Sequence, residues 1–294
     1  GNGTAWMVKD IRSGSSSSSL EYLTAVGNTL YFSANDGTNG HELWKTDGTA
    51  SGTVMVKDIN SGSGNSNPHS LTAVGNTLYF EADDGTNGSE LWKSDGTASG
   101  TVMVKDIRSG SSSSSNTGNL NSLTAVGSTL YFTANDGTNG KELWKSDGTA
   151  SGTVMVKDIR SGSGTSGPLH LTAVGNTLYF EASDGTNGYE LWKSDGTASG
   201  TVMVKDINSG SSSSSNTGNL NSFTAVGSTL YFEATDGTNG YELWKSDGTA
   251  SGTVMVKDIR SGSSSSSPAY LTAVGNTLYF RASDGTNGAE LWKS

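Results

Sequence analysis

The sequence has no cysteine, only three histidines and only three prolines in 294 residues. Without cysteine there are no disulfides, no thiolate nucleophile and no zinc–thiolate centre, and stability rests on a core; the compartment is left open. Scarce proline leaves strand ladders unbroken, while 41 glycines supply tight turns, a balance that reads as turn-rich and all-β. No apolar run approaches the roughly 20 residues of a membrane helix, so membrane insertion is not expected. Basic residues are outnumbered, 18 against 28, leaving a net charge of −10. Such a surface repels phosphate backbones, and nucleic acid is not an expected partner. The chain opens Gly1-Asn2-Gly3-Thr4, with neither an initiator methionine nor a signal peptide, a boundary set by processing or by design.

What the sequence has is repetition. Glu-Leu-Trp-Lys begins at Glu42, Glu90, Glu142, Glu190, Glu242 and Glu290, and Leu/Phe-Thr-Ala-Val begins at Leu23, Leu71, Leu123, Leu171, Phe223 and Leu271. Both landmarks recur at intervals of 48 and 52 in alternation. The longer intervals come from two identical serine-rich linkers, Ser109 to Ser122 and Ser209 to Ser222. A two-repeat unit has therefore been duplicated.

One copy shows the local structure. Leu71–Val74, Thr77–Ala82, Glu90–Lys93 and Thr101–Ile107 are rich in β-branched and aromatic residues and bounded by Gly, Asn and Asp, the signature of strands. Gly75-Asn76, Asp84-Gly85 and Asp95-Gly96 suit the connecting turns because they accept positive φ at low cost. Four short antiparallel strands in each repeat of 40–50 residues predict a six-bladed β-propeller. Its blades span 23–59, 71–107, 123–159, 171–207, 223–259, and 271–294 completed by 3–11, as a single domain over 1–294. The chain ends after a third strand and begins with Met7-Val8-Lys9-Asp10-Ile11, a fourth strand with no others before it. Pairing that segment beside Leu291-Trp292 would satisfy two exposed strand edges and close a ring.

The run Glu-Leu-Trp-Lys-Ser-Asp-Gly-Thr, followed by Gly-Thr, resembles the bacterial ELWxxDGT-repeat proteins over essentially the whole chain. Only Gly1 to Trp6 departs, lacking the hairpin Asp. The resemblance implies a propeller-like module in a large, surface-associated chain, hence an extracellular or cell-surface setting, and brings no catalytic residues. The near-identity of the copies also fits an engineered or recently amplified sequence.

Three aspartate rows invite chemistry. Asp47, Asp95, Asp147, Asp195 and Asp247 sit in the third hairpin, loosely like the Asp-box of sialidase-like propellers, where the carboxylate serves its own turn. Asp36, Asp84, Asp136, Asp184, Asp236 and Asp284 open Asp-Gly-Thr-Asn-Gly loops, which offer oxygens to calcium but lack EF-hand spacing, so turn formation is the favoured role. Asp10, Asp58, Asp106, Asp158, Asp206 and Asp258 end the fourth strands and are expected to cap turns or pair with the adjacent Lys. The row Trp44, Trp92, Trp144, Trp192, Trp244 and Trp292 reads as core between blades rather than as sugar platforms. Serine tracts such as Ser111 to Ser115 read as flexible loop. His41, His69 and His170 share no repeat position and read as solvated loop residues. Arg12, Arg108, Arg160 and Arg260 share one linker position, so they are not expected to converge on one ligand.

Six equivalent copies of a residue cannot supply acid, base and nucleophile with distinct pKa values. Glu21, Glu81, Asp83, Glu181 and Glu233 break the repeat, but the sequence shows no partner for them. The expected function is a non-enzymatic binding module. Its ligand is a small polar molecule, glycan or surface protein, uncharged or cationic, bound without a cofactor by a monomer. The alternatives are a display scaffold without ligand and a calcium-binding surface module. Variation concentrates on the rim formed by the second turns and the linkers, where the residue before Glu-Leu-Trp is His41, Ser89, Lys141, Tyr189, Tyr241 and Ala289 in turn. The candidate ligand-binding residues are Tyr189, Tyr241, His41 and Lys141, with the two tyrosines as anchors because aromatics give area at low entropy cost.

Overall fold

The computed structural model describes residues 3–110, 123–210 and 223–294; the serine tract Ser111 to Ser115 lies outside the described residues. Among these there are strands and no helix. The first sheet holds β1 (Glu21–Val26), β2 (Thr29–Asn35), β3 (His41–Thr46) and β4 (Val54–Lys57), and the second β5 (His69–Val74), β6 (Thr77–Asp83), β7 (Ser89–Ser94) and β8 (Val102–Lys105). The third holds β9 (Thr124–Val126), β10 (Thr129–Asn135), β11 (Lys141–Ser146) and β12 (Val154–Lys157), and the fourth β13 (Leu169–Val174), β14 (Thr177–Ser183), β15 (Tyr189–Ser194) and β16 (Val202–Lys205). The fifth holds β17 (Thr224–Val226), β18 (Thr229–Ala234), β19 (Glu242–Ser246) and β20 (Val254–Lys257), and the sixth only β21 (Ala269–Val274), β22 (Thr277–Ser283) and β23 (Ala289–Lys293). Every sheet is an antiparallel meander in chain order.

By internal contacts the chain forms two compact units. One is Gly1–Leu130 with Ala134–Gly137 and Ser146–Val154; the other is Tyr131–Thr133 with Thr138–Lys145 and Met155–Ser294.

In the first unit, strand alternation sorts β6 into two faces. Leu78, Phe80 and Ala82 are fully buried and pack, with Trp92, against Val26, Tyr31, Leu43, Val56 and Ile59 of the preceding sheet. Each large side chain so buried contributes about 1.5–3 kcal/mol. Lysines tie the sheets together. Lys57 Nζ donates to Thr101 O at 2.8 Å and stands 5.8 Å over the Trp92 ring, and Lys45 Nζ donates to Gly96 O at 2.7 Å. The second unit repeats the scheme. Leu230, Phe232, Ala234 and Trp244 pack against Tyr179, Leu191, Val204 and Ile207, and Lys205 reaches Thr253 O at 2.8 Å over Trp244. The tryptophan row, from Trp44 to Trp244, is core as expected.

The fourth strands are shorter than expected. Β8 stops at Lys105 because the Ile107 amide leaves the ladder and donates to the Glu90 carboxylate at 3.0 Å. Four of the first strands begin earlier than expected: β5, for one, starts at His69, and a bulge between His69 and Thr72 follows, with Ser70 at φ +54°. Residues 3–11 form no strand, and the sixth sheet has three strands. The N-terminal segment nonetheless rests on the first sheet: Lys9 Nζ donates to Thr53 O at 2.7 Å, and Ile11 packs on Phe32, Ala34 and Trp44. Lys57 and Ile59 hold the second sheet in the same way.

Candidate functional site

Two of the aspartate rows build turns. Asp95 Oδ1 accepts from Thr97 N at 2.9 Å and from Thr97 Oγ1 at 2.7 Å, and Thr97 Oγ1 accepts from Gly100 N at 2.9 Å. A β-carbon on Gly100 would collide with the Asp95 carboxylate, so the hairpin needs glycine there. These hydrogen bonds, the Thr97 hydroxyl foremost, hold the Asp95 carboxyl below its usual pKa. In the second turn, Asp84 Oδ1 accepts from Thr86 N and Asn87 N, and Oδ2 from Asn87 Nδ2 at 2.8 Å. Both oxygens are thus engaged by the loop. Among the described residues no three His, Asp or Glu side chains converge as a metal site. In the third row, Asp58 Oδ2 caps a turn at Gly62 N, 3.0 Å away, while the adjacent Lys57 reaches Thr101 instead.

Sequence reasoning passed over the glutamate of Glu-Leu-Trp. Glu42 is fully buried. Its Oε2 accepts from Ile59 N at 2.8 Å and Ser66 Oγ at 2.6 Å, and its Oε1 from Asn60 N at 3.3 Å and Ser66 N at 3.1 Å. Glu142 with Ser166, and Glu242 with Ser266, repeat the clamp. Each clamp fixes the linker that carries the chain to the next sheet. Burial pushes the Glu42 carboxyl up to about 7, against the pull of these four donors. Its signal in the sequence was its invariance at a strand position facing the interior.

The clamp shapes a cleft of about 460 Å³ on the variable rim of the first unit. Glu21, Tyr22, His41, His69 and Asp83 line it beside the linker residues Ser66 to Pro68. The register sets His69 opposite Glu81, and His69 Nε2 lies 2.8 Å from Glu81 Oε2. His69 Nδ1 lies 2.9 Å from Asn67 O. Burial opposes protonation of His69, but the Glu81 carboxylate and the Asn67 carbonyl outweigh it and raise its pKa. Tyr22, at φ +57°, presents its ring 6.4 Å from that of His69.

This corrects two expectations. His69 is a strand residue with a partner, not a solvated loop residue, and Glu81, which the sequence left alone, is that partner. His170 also lies on a strand, β13, with its ring 5.7 Å from Phe223, and burial lowers its pKa. The bulge explains the misreading, since it breaks the alternation that would have marked these residues as strand.

Of the four candidate residues, His41 lines the cleft. Lys141 and Tyr189 open β11 and β15, and Tyr241 directly precedes β19, each half-buried. Three of the four share a backbone role. His41 O, Lys141 O and Tyr241 O accept from Ser66 N, Ser166 N and Ser266 N at 3.0–3.1 Å. The main chain anchors the linker, and the side chain is left free to vary.

The meander of packed four-stranded sheets is matched by solved structures. Prolyl oligopeptidase B from Galerina marginata, bound to a 35mer hydrolysis and macrocyclization substrate, aligns with a TM-score of 0.52 at 11% identity, over 93% of this chain and 42% of that one. A puromycin-hydrolyzing peptidase of Mycobacterium tuberculosis gives 0.50 at 13%, over 96% and 43%. Oligopeptidase B from Leishmania major gives 0.50 at 11%, over 93% and 38%. The fold is propeller-like. The chain spans about two fifths of the length of these peptidases. Neither a family model nor a curated protein matches the sequence.

Proposed function

We propose that the chain is a six-bladed propeller, closed by its N-terminal segment, that acts as a non-catalytic binding module for a small polar ligand, with a glycan as ligand class. Closure is supported by the three-stranded sixth sheet and by Lys9, which sits on the first sheet as Lys57 sits on the second. The resemblance to ELWxxDGT-repeat proteins supports an extracellular or cell-surface setting. The peptidase likeness, at 11–13% identity, carries no activity to this chain.

The cleft between Tyr22 and Asp83 carries the binding reading. Its volume of about 460 Å³ lies within the range that suits small ligands, about 300–1,000 Å³. Its charged and aromatic groups stand where the six copies differ, so it can recognise a ligand once per molecule. Glu21 and Asp83 offer acceptors to hydroxyl or ammonium groups, and Tyr22 offers an aromatic face for the apolar side of a sugar ring. A glycan array probed with the native protein and with Tyr22→Ala tests the reading. A defined set of glycans bound by the first and lost by the second is expected; no glycan retained by the native protein would contradict it.

A further inference from the structure

The last sheet carries a second cleft of opposite charge. It measures about 220 Å³ and is lined by Arg260, Ser265, Ser266, Ser267 and Arg281, beside Ala289. We propose that this cleft is an oxyanion site in which Arg260 and Arg281 together hold a carboxylate, sulfate or phosphate group.

Three observations carry it. First, neither guanidinium has an ion pair or hydrogen bond among the described residues. Asp284, the carboxylate next to Gly285, is engaged by Thr286 N, Asn287 N and Asn287 Nδ2 at 2.7–2.8 Å. Two fork-shaped donors therefore face one small space without a counter-charge, in a chain whose net charge is −10. Guanidinium forks match the geometry of oxyanions.

Second, Arg260 is preorganised. Its side chain lies across Gly285, where a β-carbon would come within 2.9 Å of Nε. Arg12 over Gly37, Arg108 over Gly137 and Arg160 over Gly185 share this arrangement. The shared position was not expected to gather arginines, and it does not gather the four. It brings one of them beside the fifth, Arg281, at a position occupied in the other copies by Ser33, Glu81, Thr133, Glu181 and Glu233.

Third, the same position lines a cleft in the first sheet as well. Ser33, the counterpart of Arg281, lines the first cleft although it is only 2% exposed. At about 220 Å³ the space suits one compact group rather than a drug-sized ligand.

The test is titration of the whole protein with sodium sulfate, sodium phosphate and sodium acetate, each against sodium chloride at equal ionic strength, followed by NMR of the arginine Nε–H and Ser266 amide signals. Saturable shifts are expected, weakened about tenfold or more in Arg281→Gln and Arg260→Gln. The native melting temperature should be kept, since both side chains are exposed. Arg281→Lys retains the charge but loses the fork and should recover only part of the binding. Shifts from sulfate and phosphate but not acetate identify a tetrahedral oxyanion, and shifts from acetate a carboxylate. Shifts equal to those of chloride, or undiminished in the two variants, would overturn the site. Glycan binding at Tyr22 is read separately, so either site can fail without the other.

Discussion

Ser66 Oγ donates to Glu42 Oε2 at 2.6 Å, both groups buried, across 24 residues of sequence. The contact links the third strand of the first sheet to the segment that starts the second. Replacing the acceptor strands the Ile59 and Ser66 amides, each a loss of about 1–3 kcal/mol when buried. Glu42→Ala is therefore expected to destabilise by about 3 kcal/mol or more, measured as a lower urea midpoint with an unchanged slope. A shift below about 0.5 kcal/mol would remove the clamp from the account.

The pH dependence follows from the same groups. Glu42 is raised from its ordinary value of 4.5 to about 7, so the stability from its protonated form is complete below 4.5 and lost as pH rises to about 7. His69 is raised above 6.5; its contribution is complete below 6.5 and lost above its folded value. Asp36, Asp84, Asp184 and Asp236 are lowered below 3.8, since hydrogen bonds from their loops outweigh burial. Their contribution is present above 3.8 and lost as pH falls through the folded values. The melting temperature is expected to peak between about pH 4 and 5 and to decline toward pH 8. A maximum near pH 8 would contradict these assignments.

Gly100 is held to glycine by the Asp95 carboxylate, with which a β-carbon would collide. Gly100→Ala should cost about 1–3 kcal/mol by overpacking, and Asp95→Ala should destabilise less, by loss of the turn bonds. Because both act through one hairpin, the double substitution should cost less than the sum. Denaturant titration of the three variants measures this, and full additivity would separate the two residues.

The hairpins were legible because Asp-Gly and Asn-Gly state their own turn chemistry, and the tryptophan row because alternation places it inward. Glu42 was not, because a strand glutamate is ordinarily solvated and its burial depends on Ser66, 24 residues later. His69 was hidden by the bulge after it, and Glu81 by the absence of any local pattern joining it to His69. Lys141 and Tyr241 were legible as points of variation, but not the linker hydrogen bonds that their carbonyls accept, because those join residues 25 apart in sequence.

The N-terminal segment covers the first sheet through Lys9 and Ile11. Removing residues 1–11 uncovers Phe32 and Trp44 and, under the proposed closure, would leave β23 without a partner. Loss of the Ile11 contact alone should cost about 1–3 kcal/mol. The shortened chain is expected to melt lower and to associate, as seen by calorimetry and light scattering. A monomer with unchanged melting would contradict closure.

The central claim is that the cleft beside the His69–Glu81 pair binds the ligand. The most direct measurement is an NMR titration of the native protein with the best glycan from the array, following the Tyr22, His41, His69 and Asp83 signals. Saturable shifts confined to these residues, absent in Tyr22→Ala with Asp83→Asn while the fold persists, are expected. Saturable shifts centred instead on repeated positions such as Trp92 and Asp95, with the Tyr22 cleft silent, would contradict it.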